Sequence, residues 1–288
     1  MNMESLLQLN TIFISIVIEA LPFILIGVIF SGIIQVFISE EMIAKLMPKN
    51  TILAILVASL LGAIIPACEC GIIPITRRLI LKGVSVPAAV AFMITGPIIN
   101  PIVLFSTYIA FGNSWSMVLH RGLLAILASI IIGIFLQFIV KDSPLKSTDS
   151  HAAHYHSFSE KISAMLKHSI DEFFSVGKYL VAGSLIAALV QTTIKTSTLV
   201  SIGNGTVSSH VVMMGLAYVL SLCSQADAFI AASFRGSFST SSILAFLLFG
   251  PMLDIKNTMM LLSTFKAKFV AVLCTAITVT VLVLTLVF

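Results

Sequence analysis

Charge is what this sequence has least of. Lys and Arg number 16 and Asp and Glu 12 in 288 residues, together 10%, where soluble domains carry about 25%. Basic side chains are scattered over loops and helix ends and exceed acidic ones by only four. That excludes a nucleic-acid surface, which needs a basic stripe or patch. Cysteine is also scarce. Cys68, Cys70, Cys223 and Cys274 all lie in apolar segments, so a disulfide framework is not expected. No G-x-x-x-x-G-K-[ST], H-E-x-x-H or G-x-S-x-G occurs, which removes a built-in ATPase and the usual hydrolases. No cofactor and no enzymatic activity are expected. Nothing basic precedes the first apolar run, and that run, about 12–38, exceeds the 7–15 residues of a signal-peptide core. It reads as a first membrane helix.

What remains is apolar: 58% of residues, with a mean hydropathy of +1.12. A chain so composed has lipid for a solvent. Crossing a hydrocarbon core of ~30 Å takes about 20 helical residues. Polar breaks divide the chain into about eight spans, near 11–38, 51–75, 86–111, 117–140, 173–194, 211–234, 241–263 and 268–287. The expected fold is all-α, a polytopic membrane protein. The longest polar stretch, 141–172, reads as a flexible central loop leading into the fifth span, with four spans on each side (1–140 and 173–288).

The two halves look related. LPFILIGVIFSGIIQVFI from Leu21 aligns with GKYLVAGSLIAALVQTTI from Gly177, matching Gly27 to Gly183 and Gln35 to Gln191. VPAAVAFMITGPIIN aligns with TSSILAFLLFGPMLD, matching Gly96-Pro97 to Gly250-Pro251 and Asn100 to Asp254. The expectation is two related four-helix repeats, and many transporters place their site where such repeats meet. Arg77, Arg78 and Lys82 follow the second span and Arg235 the sixth. The positive-inside rule then puts these loops and the central loop in the cytoplasm of a plasma-membrane protein. Lys256, Lys266 and Lys268 would face outward and oppose that orientation.

The stretch GAIIPACECGIIPITRR places Pro66, Gly71 and Pro74 inside one apolar span. Proline removes a backbone donor and clashes with the preceding turn, so this reads as a discontinuous helix with Cys68, Glu69 and Cys70 at its break. Thiols select soft centres, although small cysteine side chains also serve plain packing. The repeat alignment sets Cys223, Ser224, Gln225 and Asp227 opposite this stretch, and Cys68, Cys70 and Cys223 are candidates for a three-sulfur cluster. Glu19, Glu69, Asp227 and Asp254 sit within or at the edge of spans. Such a position costs ~2.5–3.5 kcal/mol on insertion scales and usually serves a pathway or a partner. Glu69 and Asp227 are the candidates for proton or cation coupling. TGPIINP, with Gly96, Pro97, Asn100 and Pro101, and FGPMLDIK, with Gly250, Pro251 and Asp254, read as paired breaks whose freed carbonyls and helix ends are ready ligands. His151, His154 and His156 form an H-x-x-H-x-H pattern in the central loop that is either merely polar or metal-binding.

P-A-C-E-C-G-I-I-P, T-G-P-I-I-N-P and the Cys223–Asp227 stretch followed by A-F-I-A-A-S-F together resemble a family of predicted permeases that includes organoarsenical efflux permeases. The resemblance covers nearly the whole chain. The family's usual form has a small residue between the paired cysteines, where Glu69 stands here and alters the local charge. The resemblance implies a transporter, with efflux its expected direction. The expected function is alternating access for a small thiophilic solute, a trivalent arsenical or a soft metal ion, bound by Cys68, Cys70 and Cys223. Glu69, Asp227, Asn100 and Asp254 would complete the site. The alternatives are a permease for another small solute with structural cysteines, a membrane thiol–disulfide protein, and a membrane subunit of a larger complex with a protein partner or second copy.

Overall fold

The chain is built from long helices alternating with pairs of half-length ones. The structure is a computed structural model that describes residues 3–39, 41–43, 47–48, 50–64, 68–140, 142–146, 158–193 and 205–288. Pro66 and the His151, His154, His156 cluster lie outside the described residues. Among the described residues there is no strand, only one isolated bridge between Leu145 and Phe265. The long helices are α1 (Met3–Phe37), α6 (Trp115–Ile139), α7 (Phe158–Thr193) and α12 (Ala267–Val287). Between them run the half-length pairs α2 (Thr51–Gly62) and α3 (Glu69–Leu81), α4 (Val86–Ile99) and α5 (Pro101–Ala110), α8 (Thr206–Leu220) and α9 (Ser224–Ser233), and α10 (Thr240–Met252) and α11 (Ile255–Thr264).

Among the described residues, six helical segments are long and apolar enough to cross a membrane: the four long helices, 86–110 and 240–264. The pairs α2–α3 and α8–α9 include the shorter apolar helices Thr51–Gly62 and Thr206–Leu220. At 1.5 Å per residue a 12-residue helix such as α2 reaches about 18 Å, half of a bilayer core.

Position in the bundle follows composition. Helices α4 and α10 are apolar on every side and lie at the centre, with residues 87–99 and 242–252 all buried. A helix hydrophobic all round belongs in a core. The long helices instead present rows of large apolar side chains outward, such as Leu119, Leu123 and Leu127 of α6 and Ile14, Ile18 and Leu25 of α1. In water these would be an aggregation surface, but against lipid tails they are the expected boundary. Around α4 pack α2, α3 and α6, and around α10 pack α8, α9 and α12.

Residues 158–172, read from sequence as part of the polar loop, are helical and form the first turns of α7. Their inward face includes Met165, Ser169 and Glu172, two of the three polar, so no hydrophobic stripe marks it and composition concealed it. The seam with α1 is tight. A β-carbon built on Gly32 would stand 2.5 Å from Ser169 Oγ. The Ser169 hydroxyl donates to the Val28 carbonyl at 3.0 Å. Glu172 is buried at this junction, its Oε2 accepting from Ser31 and lying 3.5 Å from Arg78 Nη2. Arg78 in turn donates to Gln35 at 3.1 Å. One ionic cluster thereby ties α1, α3 and α7 together.

Candidate functional site

Four half-length helices begin close together inside the bundle. Cys68 is the N-cap of α3 and Cys223 the N-cap of α9, both with extended backbone and neither capping through its side chain. N-caps are normally Ser, Thr, Asp or Asn because those side chains accept from the first free amides. A thiol is a poor substitute, and α3 and α9 both start without a side-chain cap. Asn100 caps α5, its Oδ1 accepting from Ile102 N at 2.9 Å. Asp254 caps α11, its Oδ1 accepting from Asn257 N. Contacts between α3 and α11 and between α5 and α9 bring these starts together.

At the meeting point lies a small cavity of about 30 Å³ whose lining includes Cys68, Asn100, Cys223, Ser224 and Gln225. Three of the candidate site residues therefore share one void. Cys70, two residues on from Cys68 in the first turn of α3, is buried. Among the described residues no three His, Cys, Asp or Glu side chains converge as a bound metal ion requires. The three-sulfur cluster expected from the repeat alignment is thus not assembled in this conformation. Cys274 lies in α12, outside this group.

The charged groups are the larger part of the site. Glu69, in the first turn of α3, is 1% exposed. Its Oε1 accepts from the Lys256 ammonium at 3.2 Å and its Oε2 from the Ser224 hydroxyl at 3.0 Å. Lys256 is 2% exposed, and its Nζ also donates to the Ser221 carbonyl at 3.3 Å and lies 3.6 Å from Asp254 Oδ2. Ser221 ends α8 in a left-handed conformation, φ 46°, which offers that carbonyl to the ammonium. Sequence reasoning missed Lys256, reading it as a loop cation. Removing it from the loops removes one of the three lysines that opposed a cytoplasmic assignment of the basic loops. The available signal was its place two residues after Asp254, inside a first helical turn where a cation opposes the helix dipole.

A second polar group adjoins Ser224. Arg121 of α6 is fully buried, donating through Nη1 to Thr107 Oγ1 at 2.6 Å and through Nη2 to the Ser224 carbonyl at 3.3 Å. Asp227, one turn into α9, is 1% exposed. Its Oδ2 is buried without a hydrogen-bond partner. Arg121 was not singled out from sequence because it opens an otherwise ordinary apolar span.

The Gly and Pro residues expected at breaks sit near them rather than at them. Gly71 and Pro74 lie inside α3, Gly96 and Pro97 in the last turn of α4, and Gly250 and Pro251 in the last turn of α10, while Pro101 opens α5. The interruptions fall at Asn100 and at Leu253–Asp254, a few residues after each Gly-Pro. The glycines act as contact points. A β-carbon on Gly96 would meet Ile72 Cδ1 at 2.3 Å, and one on Gly250 would meet Asp227 Oδ2 at 2.7 Å.

An apolar helical bundle with capped half-helices and ion pairs at its centre is built as a membrane permease. The chain belongs to the family described as predicted permease (ArsP_1), whose model matches residues 5–288, and is a permease rather than an enzyme. It is 62% identical over 282 residues to the UPF0718 protein YcgR of Bacillus subtilis, covering 97% of this chain and 96% of that one. It is 47% identical over 272 residues to a Streptococcus mutans protein named as a subunit of a two-component membrane permease complex, covering 93% and 90%. Over 141 residues, 48% of this chain and 38% of the other, it is 26% identical to the UPF0718 protein MJ0584 of Methanocaldococcus jannaschii. No solved structure matches the chain.

Proposed function

We propose that this permease is a secondary transporter of a small thiophilic solute, binding it where the half-helices begin. The observation that carries the reading is the shared lining of one cavity by Cys68, Cys223 and Asn100, three N-caps from separate helices. Its volume has room for one or two water-sized groups, which suits an ion or a compact solute. Cys68 with Cys70, and Cys223, supply sulfur; Glu69 and Asp227 set the charge of the site or carry coupling protons; Asn100 and Asp254 hold the helix ends in register.

The same proposal includes eight spans in two four-helix repeats. Each interrupted pair then counts as one span, α2–α3 and α8–α9 included. Matching contacts support it. Cys68 and Cys223 cap equivalent half-helices, Asn100 and Asp254 cap the next pair, and Gly96 against Ile72 is mirrored by Gly250 against Asp227. An even number of spans per repeat gives parallel repeats, with the basic loops and the central loop cytoplasmic in the plasma membrane, and export as the direction of transport.

The test is tolerance of a sensitive host to methylarsenite and to soft metals, followed by flux in everted vesicles. Cys68→Ser and Cys223→Ser should abolish protection while Cys274→Ser leaves it intact. Unchanged tolerance in the first two, in a protein that protects, sinks thiol binding. A second reading, membrane subunit of a two-component permease, is favoured by the name of the Streptococcus mutans relative. It requires that a second membrane protein co-purify and that flux need both chains.

A further inference from the structure

The turn between α8 and α9 is gripped by side chains from four other helices. Gln191 of α7 donates to the Leu220 carbonyl at 2.9 Å. The Lys256 ammonium of α11 donates to the Ser221 carbonyl at 3.3 Å. Glu69 Oε2 of α3 accepts from the Ser224 hydroxyl at 3.0 Å, and Arg121 of α6 donates to the Ser224 carbonyl at 3.3 Å. Cys223 lies inside this turn. It starts α9 without a side-chain cap, so the groups that hold the turn come from elsewhere in the bundle.

Two of these bonds frame the Cys223 thiol. Lys256 holds the residue two before it, and Glu69 holds the residue after it. The two holders are themselves joined, Nζ to Oε1 at 3.2 Å, and are 2% and 1% exposed. Stability is a weak reason for such a pair. A buried ion pair seldom outperforms apolar packing of the same volume. Lys256 also stands in the first turn of α11, where the helix dipole disfavours a cation.

The placement of the pair supplies a better reason. Glu69 directly follows Cys68 and is the first residue of α3; Ser224 directly follows Cys223 and is the first residue of α9. The Glu69–Ser224 hydrogen bond therefore fastens the two half-helices together at their N-terminal ends. The two N-cap cysteines line one cavity of about 30 Å³, small enough that a displaced turn would part them.

We propose that Glu69 and Lys256 are positioning residues that hold the Cys223 thiol opposite Cys68. Glu69 fastens the near side of the Cys223 turn to α3. Lys256 orients Glu69 and holds the far side of the turn through the Ser221 carbonyl. The proposal rests on the permease reading above and adds how its sulfurs are set in place. A preset pair of thiols has less freedom to lose on binding than two independent ones.

The experiment is crosslinking of the full-length protein in lipid nanodiscs by dibromobimane, a two-armed thiol reagent that fluoresces strongly once both arms have reacted. Cys70→Ala with Cys274→Ser leaves Cys68 and Cys223 as the remaining thiols. This background should crosslink, and adding Cys68→Ser or Cys223→Ser should abolish the signal. Lys256→Met should slow crosslinking about tenfold or more, the weight of one hydrogen bond to a charged group. Lys256→Arg keeps a cationic donor and should restore the rate to within a few-fold. Ser224→Ala releases the Glu69 side without stranding a charge, and so guards against misfolding of Lys256→Met. It should slow crosslinking severalfold.

Background rates in folded Lys256→Met and Ser224→Ala overturn the positioning role. So does a background that forms no crosslink, or a Lys256→Arg that restores nothing. If the rates shift as expected while the wild-type protein neither protects a host from methylarsenite nor moves it in vesicles, the positioning holds and the permease reading fails for that solute. If the wild type protects but neither Lys256→Met nor Ser224→Ala changes crosslinking, the permease reading stands and the positioning role falls.

Discussion

Gly27 of α1 and Gly71 of α3 meet backbone to backbone. A β-carbon on Gly27 would stand 2.3 Å from the Gly71 carbonyl oxygen and 2.6 Å from its Cα. Neither atom belongs to a flexible side chain, so the helices themselves must part to admit a methyl group. Gly71 follows Cys70 directly, so the contact also fixes the depth of the Cys68–Cys70 turn. Gly27→Ala is expected to destabilise the protein by about 1–3 kcal/mol, the usual range for overpacking. Thermal unfolding in detergent measures it, with Gly122→Ala, which meets nothing within 4 Å, as the control.

The Arg78–Glu172 cluster supports a second expectation. Glu172 is buried, lies 3.6 Å from Arg77 and 3.5 Å from Arg78, and accepts from Ser31. Glu172→Gln keeps the shape and removes the charge, leaving two guanidinium groups facing a neutral amide. A loss of more than about 1 kcal/mol is expected, since hydrogen bonds to charged groups contribute ~1.5–3 kcal/mol. Partial proteolysis of α7 against α1 and α3 would report loosening of that junction.

Arg121 holds α9 in place through the Ser224 carbonyl and α5 through Thr107. Arg121→Met takes the donors from the Thr107 hydroxyl and the Ser224 carbonyl, and hydrogen bonds to charged groups contribute ~1.5–3 kcal/mol each. Adding Asp227→Asn should recover part of the loss, giving a non-additive double-mutant cycle. Additive losses would mean that the two residues act independently.

Ser221 carries a left-handed backbone, φ 46°, where L-residues pay roughly 1–2 kcal/mol and glycine does not. Ser221→Gly is expected to raise stability slightly and to leave the site intact, because Lys256 uses the carbonyl rather than the side chain. A branched residue such as Val there should lower both stability and solute binding.

Much of this molecule was legible in the sequence. The all-helical class was legible, and among the described residues six apolar stretches fall on segments long and apolar enough to cross a membrane, while those near 51–75 and 211–234 fall on pairs of shorter helices. The stretch holding Cys68, Glu69 and Cys70 was read as a break; in the structure α3 starts there, with Cys68 its N-cap and Glu69 and Cys70 already helical. The path of the chain at Gly-Pro was misplaced by a few residues, since proline near the last turn of a helix ends it only afterwards. Lys256 and Arg121 were not legible as site residues. A buried lysine and a loop lysine look alike in sequence, and only the approach of α11 to α3 sets Lys256 against Glu69. The start of α7 was hidden for the opposite reason, as its contact face uses Ser169 and Glu172 in place of apolar residues.

The four half-helices that start at Cys68, Asn100, Cys223 and Asp254 all turn their amide ends toward the same place. Those ends carry partial positive charge, so the backbone alone would welcome an anion. Glu69, Asp227 and Asp254 reverse that preference with only three side chains. In the proposed site the sign of the local charge is therefore set by a few substitutable side chains laid over a fixed backbone. On that proposal, exchanging residues 69, 227, 254 and 256 would change what such a protein carries without rebuilding a single helix.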